Sequence, residues 1–321
     1  MADHLPMPGS PNDALAGRVP VSRVPVSRVP VSRVPVSRVP VSIVFAGGGA
    51  FGIAWHLAVI EGLRGVGLPV ADAPAIGTSA GSWACAALRF DLGFDAFASI
   101  GDLQVPDRRP GLLAAVARGL MGDAHAPGVR VSAVELPLLR RRLYDGADHP
   151  MADLIAASSA VPGLFSPHPI AGSPHVDGGI RSMASVDGAT SADLLVLSLP
   201  IAGPLFGPVG RVMETSARAA SARWRRRTGG ETLVLRPGRR LAGLVGLRPN
   251  ALFDQDLARA VYPLAAEQVA ERIASRRHTL PTSLWPAGLG AHATTRPVLG
   301  AAGAAPCGGM SNAPLVARRA D

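Results

Sequence analysis

The chain has 321 residues, enough for one large domain or two small ones. Hydrophobic residues at 48% against 17% charged exclude wholesale disorder, and 4% aromatics argue against a base-stacking reader of nucleic acid. All 32 basic residues are arginine, and the formal charge of +9 divides into +3 over 1–42, +4 over 43–281 and +2 over 282–321, so an arginine-rich solvated surface explains it as well as a phosphate stripe or an attraction to anionic lipid.

The first residues lack the basic and apolar regions of a signal peptide, and no run is apolar enough for a membrane-spanning helix. Cys85 and Cys307 form neither a metal-ligand spacing nor a disulfide framework, so a reducing, cytoplasmic setting is expected. Residues 18–42 are five copies of Arg-Val-Pro-Val-Ser. Proline at every fifth position opposes helix and central strand, which predicts an extended arm over 1–40. The last copy runs into Ile43-Val44-Phe45, which predicts a buried strand over 41–46. A helix over 51–66 follows, with Ile53, Leu57, Ile60 and Leu63 on one face. Next come a short strand at 74–76, a helix over 79–89, helices around 91–103 and 111–121, and a strand over 129–134. A small-residue helix over 151–160 ends before Pro162. Strands are expected at 194–199 and 232–235, then a long amphipathic helix over 254–275. Residues 282–321 read as a flexible tail, leaving 41–281 as one domain. The early alternation of strand and helix indicates a parallel α/β sheet.

Three motifs carry chemistry. Gly77-Thr78-Ser79-Ala80-Gly81 is a G-x-S-x-G between a predicted strand and a predicted helix, where a tight turn would push Ser79 into a strained, exposed position at a helix start. Gly47-Gly48-Gly49-Ala50-Phe51-Gly52 offers bare amides at another helix start, suited either to a phosphate or to an oxyanion. Asp177-Gly178-Gly179 places a carboxylate on a glycine turn. Each alone has a plain alternative, an ordinary turn. The dinucleotide fingerprint fits poorly, since Asp72 is the acid at the required distance and precedes the serine turn, and the Walker loop is absent.

In this order the three resemble the patatin-like phospholipases, lipid acyl hydrolases, over roughly residues 41–275. Ala157-Ser158-Ser159-Ala160-Val161-Pro162-Gly163-Leu164-Phe165-Ser166-Pro167 is similar to a fourth family segment, expected to wall the site. The resemblance implies a three-layer α/β/α fold with a mainly parallel central sheet. It implies a Ser79–Asp177 dyad, an oxyanion hole from Gly47, Gly48, Gly49 and Ala80, and Gly52, Gly77, Gly81, Gly178 and Gly179 as motif glycines, with no metal and no cofactor. Phe51 departs from the pattern, standing where many relatives carry Arg or Lys. The substrate would be a lipid or other fatty acyl ester, with peripheral membrane contact open, no nucleic acid, and the oligomeric state undetermined. Acyl transfer by the same dyad, or anion and nucleotide binding without catalysis, stay as alternatives. His56, His168, His175 and His278 are expected to be dispensable for the chemistry, with His175 structural. Trp55 and Met183 are read as packing, and the runs 140–142 and 223–227 as solvated basic helix ends, with contact to lipid head groups as the alternative.

Overall fold

A computed structural model describes residues 38–284 apart from 101, 102 and 247. Four of the five repeats, the segment from 285 onward, Cys307, His4 and His292 lie outside the described residues. The elements in chain order are β1 (Val39–Phe45), α1 (Gly49–Gly65), β2 (Ala75–Thr78), α2 (Ala80–Phe90), α3 (Phe94–Ala98), α4 (Leu112–Met121), β3 (Val129–Glu135), β4 (Arg140–Asp145), α5 (Met151–Ser158), β5 (His168–Ile170), β6 (Ser173–Asp177), β7 (Ala192–Ser198), α6 (Gly207–Thr228), β8 (Glu231–Leu235), α7 (Arg239–Val245) and α8 (Gln255–Arg276).

The strands form one eight-stranded sheet. β1 lies between β2 and β7, β3 continues beyond β2 and β8 beyond β7, all five parallel. β1 and β7 are central and covered on both faces, which is why Ile43, Val44 and Phe45 and the run Leu194–Leu197 read as continuous apolar stretches. The right-handed rule for parallel crossovers puts α1 and α2 on one face and α6 on the other. α8 lies on α1 through Val261, Ala265, Val269 and Ile273, and Gly62 lets Val269 approach closely. This is a central, mostly parallel sheet flanked by helices, consistent with the expected α/β/α architecture.

Several local expectations change. β1 opens at Val39, two residues early, so the fifth repeat is a strand despite its proline. Pro40 is tolerated because β1 meets only β7 there, through Val39 opposite Ala192 and Val41 opposite Leu194; pairing to β2 starts at Ile43. The helix expected over 91–103 shrinks to α3, between Gly93 and Ser99. The run Arg140-Arg141-Arg142 is not a helix end but the start of β4, antiparallel to β3. Its arginines hid the period-two pattern: Arg142 pairs with Glu135 and Arg141 with Asp187, a charged strand that resists further pairing. By contrast Arg225, Arg226 and Arg227 do end a helix, α6, where cations favour the dipole, while Trp224 just before them is buried.

Candidate active site

One residue, Ser79, separates the end of β2 from the start of α2. Turning a strand into a helix within one residue forces its backbone to φ 53, ψ −121, a conformation that side-chain-bearing residues rarely hold. The flanking glycines are required by contact. A Cβ on Gly81 would lie 2.1 Å from the Phe45 carbonyl oxygen, and one on Gly77 2.4 Å from that of Gly81.

Asp177 reaches Ser79 through the pairing of β3. β4 runs along one edge of β3, opposite residues 130–135. The other edge is shared end to end: β2 occupies it up to Thr78 opposite Ser132, and β6 from Asp177 opposite Ala133. β2 is parallel to β3 and β6 antiparallel, so their carboxyl ends meet head-on, and each chain leaves the sheet there with Ser79 or Asp177. Gly178 follows because a Cβ would fall 2.3 Å from the Ser132 carbonyl oxygen.

The Ser79 hydroxyl faces the Asp177 carboxylate closely enough to lower its pKa, and that carboxylate accepts the Gly179 amide at 2.6 Å. Asp177 is only 5% exposed, and burial pushes its pKa up to about 6 against the lowering effect of those two groups. The segment after α5 holds both partners. Ser158 Oγ accepts the Ser79 amide at 2.8 Å and donates to the Ser132 carbonyl at 2.7 Å. The Ala160 carbonyl accepts the Asp177 amide at 3.0 Å, and Ser159 Oγ accepts the Trp83 indole at 3.1 Å. The wall expected from the sequence is thus also a clamp, a role for Ser158 that went unread although it lies inside the recognised segment.

The glycine loop at the start of α1 crosses beside Ser79. Among the described residues the amides of Gly48, Gly49 and Ala80 have no acceptor, so three donors at two helix starts are available to a ligand. The Gly47 amide differs from the other three: it is engaged by the Met183 carbonyl at 2.9 Å. Gly49 needs its hydrogen side chain, with φ +61 and the Leu252 carbonyl oxygen 2.4 Å from a would-be Cβ. Gly52 lies where a Cβ would meet Ala80 at 3.1 Å, so the two helix starts pack directly. Phe51 is buried and packs on Phe206, ring centres 6.1 Å apart, so no charge could sit in that position without burial. Met183, read as packing, is also a wall: its side chain would meet a Cβ on Gly47 or on Gly179.

No described histidine hydrogen-bonds Ser79 or Asp177. His175 is buried with Nδ1 donating to the Ser173 carbonyl and Nε2 accepting from Tyr144, and burial lowers its pKa. His168 bonds Asp153. His56 is more than dispensable: fully buried, it donates from Nε2 to the Ala46 carbonyl and accepts at Nδ1 from Ser198 Oγ, both at 2.7 Å. Burial lowers its pKa to about 4, so it is neutral and ties the residue before the glycine loop to the end of β7. Among the described residues no group of three His, Cys, Asp or Glu side chains could hold a metal, and no helix is long and apolar enough to cross a membrane. Asp72 lies at the surface beside Arg89.

Ser79 opens onto a cavity of about 130 Å³ between α2, α3 and α4, with Ala54, Trp83, Phe97, Leu113 and Val116 in its wall. Its one charged lining residue, Arg259, is paired to Asp256 at 2.7 Å.

The family model described as patatin-like phospholipase matches residues 124–190, which hold the Ser158 clamp and the Asp177 turn. This match supports the patatin-like family, whose members are generally hydrolases acting on lipid esters. No curated protein matches the chain.

Proposed function

We propose that this patatin-like chain is a serine-dependent acyl hydrolase that cleaves fatty acyl esters through an acyl-enzyme on Ser79, with Asp177 as the base. The observation that carries the reading is the buried Asp177 carboxylate facing the Ser79 hydroxyl, with Ser79 at the mouth of an apolar cavity. Ser79 Oγ attacks the ester carbonyl and passes its proton to Asp177, whose raised pKa makes it a better base than an ordinary aspartate while leaving it largely ionised at neutral pH. The carbonyl oxygen becomes an oxyanion held by the amides of Gly48, Gly49 and Ala80. Collapse returns the proton to the leaving alcohol. Water then attacks the acyl-enzyme, giving its proton to Asp177, and the carboxylic acid departs as Ser79 is reprotonated.

The cavity takes the acyl chain. Its volume is close to the roughly 150 Å³ that accommodates a benzene-sized apolar group, which suits a short acyl segment of about six carbons. The glycine loop opens onto this apolar space, which favours an ester over a nucleotide phosphate.

A fluorophosphonate probe tests the reading. It is expected to label the wild type and not Ser79→Ala, and among esters from butanoyl to hexadecanoyl the shorter chains should be turned over best. A folded wild type that takes no label, or equal labelling of Ser79→Ala, sinks the proposal.

A further inference from the structure

β1, β2, β7 and β8 are parallel, so the turns that follow them emerge at the end of the sheet that carries Ser79. The turns after β7 and β8 build a groove that the dyad does not use, walled by 202–206, 236–240 and one side of α8. Arg236, Arg239, Arg240 and Arg272 line it against a single acid, Glu271. Arg236 faces Glu214 at 3.6 Å. Among the described residues the exposed guanidinium groups of Arg239, Arg240 and Arg272 have no hydrogen bond or ion pair.

The backbone beneath them is fixed. Gln268 on α8 accepts the Gly238 amide at 2.9 Å and donates to the Arg236 carbonyl at 3.1 Å, pinning the turn from both sides. Large aliphatic side chains stand exposed at the same end: Leu205 in the groove wall, Leu244 on α7, and Val209 and Val212 in the first turns of α6, the last two 57% and 68% exposed. A soluble anion would satisfy the arginines and leave the aliphatics in water. A lipid surface answers both, with phosphates meeting the guanidinium groups and the hydrocarbon boundary meeting leucine and valine.

We propose that this face docks the protein on an anionic lipid surface. The docking itself is independent of the chemistry; its use, presenting lipid esters to Ser79, rests on the acyl-hydrolase reading above.

The test is flotation of the full chain, carrying Ser79→Ala so that the vesicles stay intact, with vesicles of phosphatidylcholine alone or three parts phosphatidylcholine to one part phosphatidylglycerol. Binding is expected to the anionic vesicles and to weaken as salt rises. Arg239→Gln, Arg240→Gln and Arg272→Gln together should weaken it on the order of 100-fold. Leu205→Ser with Leu244→Ser should weaken it by roughly tenfold at unchanged charge. In the Ser79 background the triple arginine variant should hydrolyse a soluble short-chain ester at the wild-type rate. Undiminished binding by the triple variant, no preference for phosphatidylglycerol, or release by inorganic phosphate at matched ionic strength would each overturn the docking face. The last outcome would make the groove a pocket for soluble anions. A wild type that floats but takes no fluorophosphonate would refute the hydrolase and leave the docking standing.

Discussion

Two corners of the same sheet end are built on opposite principles. Where β2 and β6 meet, Asp177 is a buried carboxylate facing Ser79; Ser158 holds the Ser79 amide, Ala160 the Asp177 amide, and Gly179 the carboxylate itself. Where β7 and β8 end, Arg239, Arg240 and Arg272 stand in an open groove without a hydrogen bond or ion pair among the described residues. The difference teaches how charge is used. At Asp177 a carboxylate is kept out of water and its basicity rises; at the groove guanidinium groups stay in water. The glycine loop and Phe206 lie between, and the Phe51–Phe206 contact joins the corners without carrying charge from one to the other.

The comparison breaks most completely by removing the dyad. Ser79→Ala and Asp177→Asn should each lower turnover of a short-chain ester by at least about a thousandfold with the circular dichroism unchanged. An active Asp177→Asn would mean that the base lies elsewhere.

Next in size is His56, the clamp behind the glycine loop. His56→Ala leaves the Ala46 carbonyl and Ser198 unpartnered and should cost about 2–4 kcal/mol in a denaturant titration. The pH dependence has a definite sign. The folded pKa near 4 lies below the unfolded 6.5, so the stability is fully present above pH 6.5 and is lost as pH falls toward 4, about 3 kcal/mol in all. A wild type whose His56 contribution does not decline between pH 6.5 and 4 would contradict the buried neutral ring.

Asp177 runs the other way. Its folded pKa near 6 lies above the ordinary 3.8, so its contribution is fully present below pH 3.8 and is lost as pH rises through 6. Asp177→Asn is therefore expected to be about 2–3 kcal/mol more stable than wild type at pH 8, with the gap closing toward pH 4. Activity depends on the ionised form, so wild-type turnover should climb as pH rises through about 6 and then level. A stabilised but inactive Asp177→Asn would show that the site trades stability for basicity.

The smallest effect sharpens the comparison. Ser158→Ala removes the acceptor for the Ser79 amide and should cost about 1–2 kcal/mol, with a fall in kcat larger than any change in KM. A variant indistinguishable from wild type in both would show that the strained elbow holds its shape without the clamp.

Much of this was legible in the chain. The glycine spacings announced both helix starts because a Cβ at Gly77, Gly81 or Gly178 would occupy space that backbone oxygens already fill. The apolar runs announced the central strands, and the pattern over 254–275 announced a long helix, though not its packing on α1. What stayed hidden shares one cause: its meaning lies in partners far along the chain. β4 reads as a basic run because its charges face solvent and its pairing with β3 is invisible locally. Pro40 reads as a strand breaker because only the register shows β2 starting later. His56 reads as one of several spare histidines until Ala46 and Ser198 close around it. The sequence alone determined which residues could be nucleophile, acid and amide donor, since those are properties of residue type and local turn geometry. The tertiary structure alone decided that Ser79 and Asp177 meet, because two strands from distant parts of the chain end against each other on one edge of β3, and that burial there raises the pKa of Asp177.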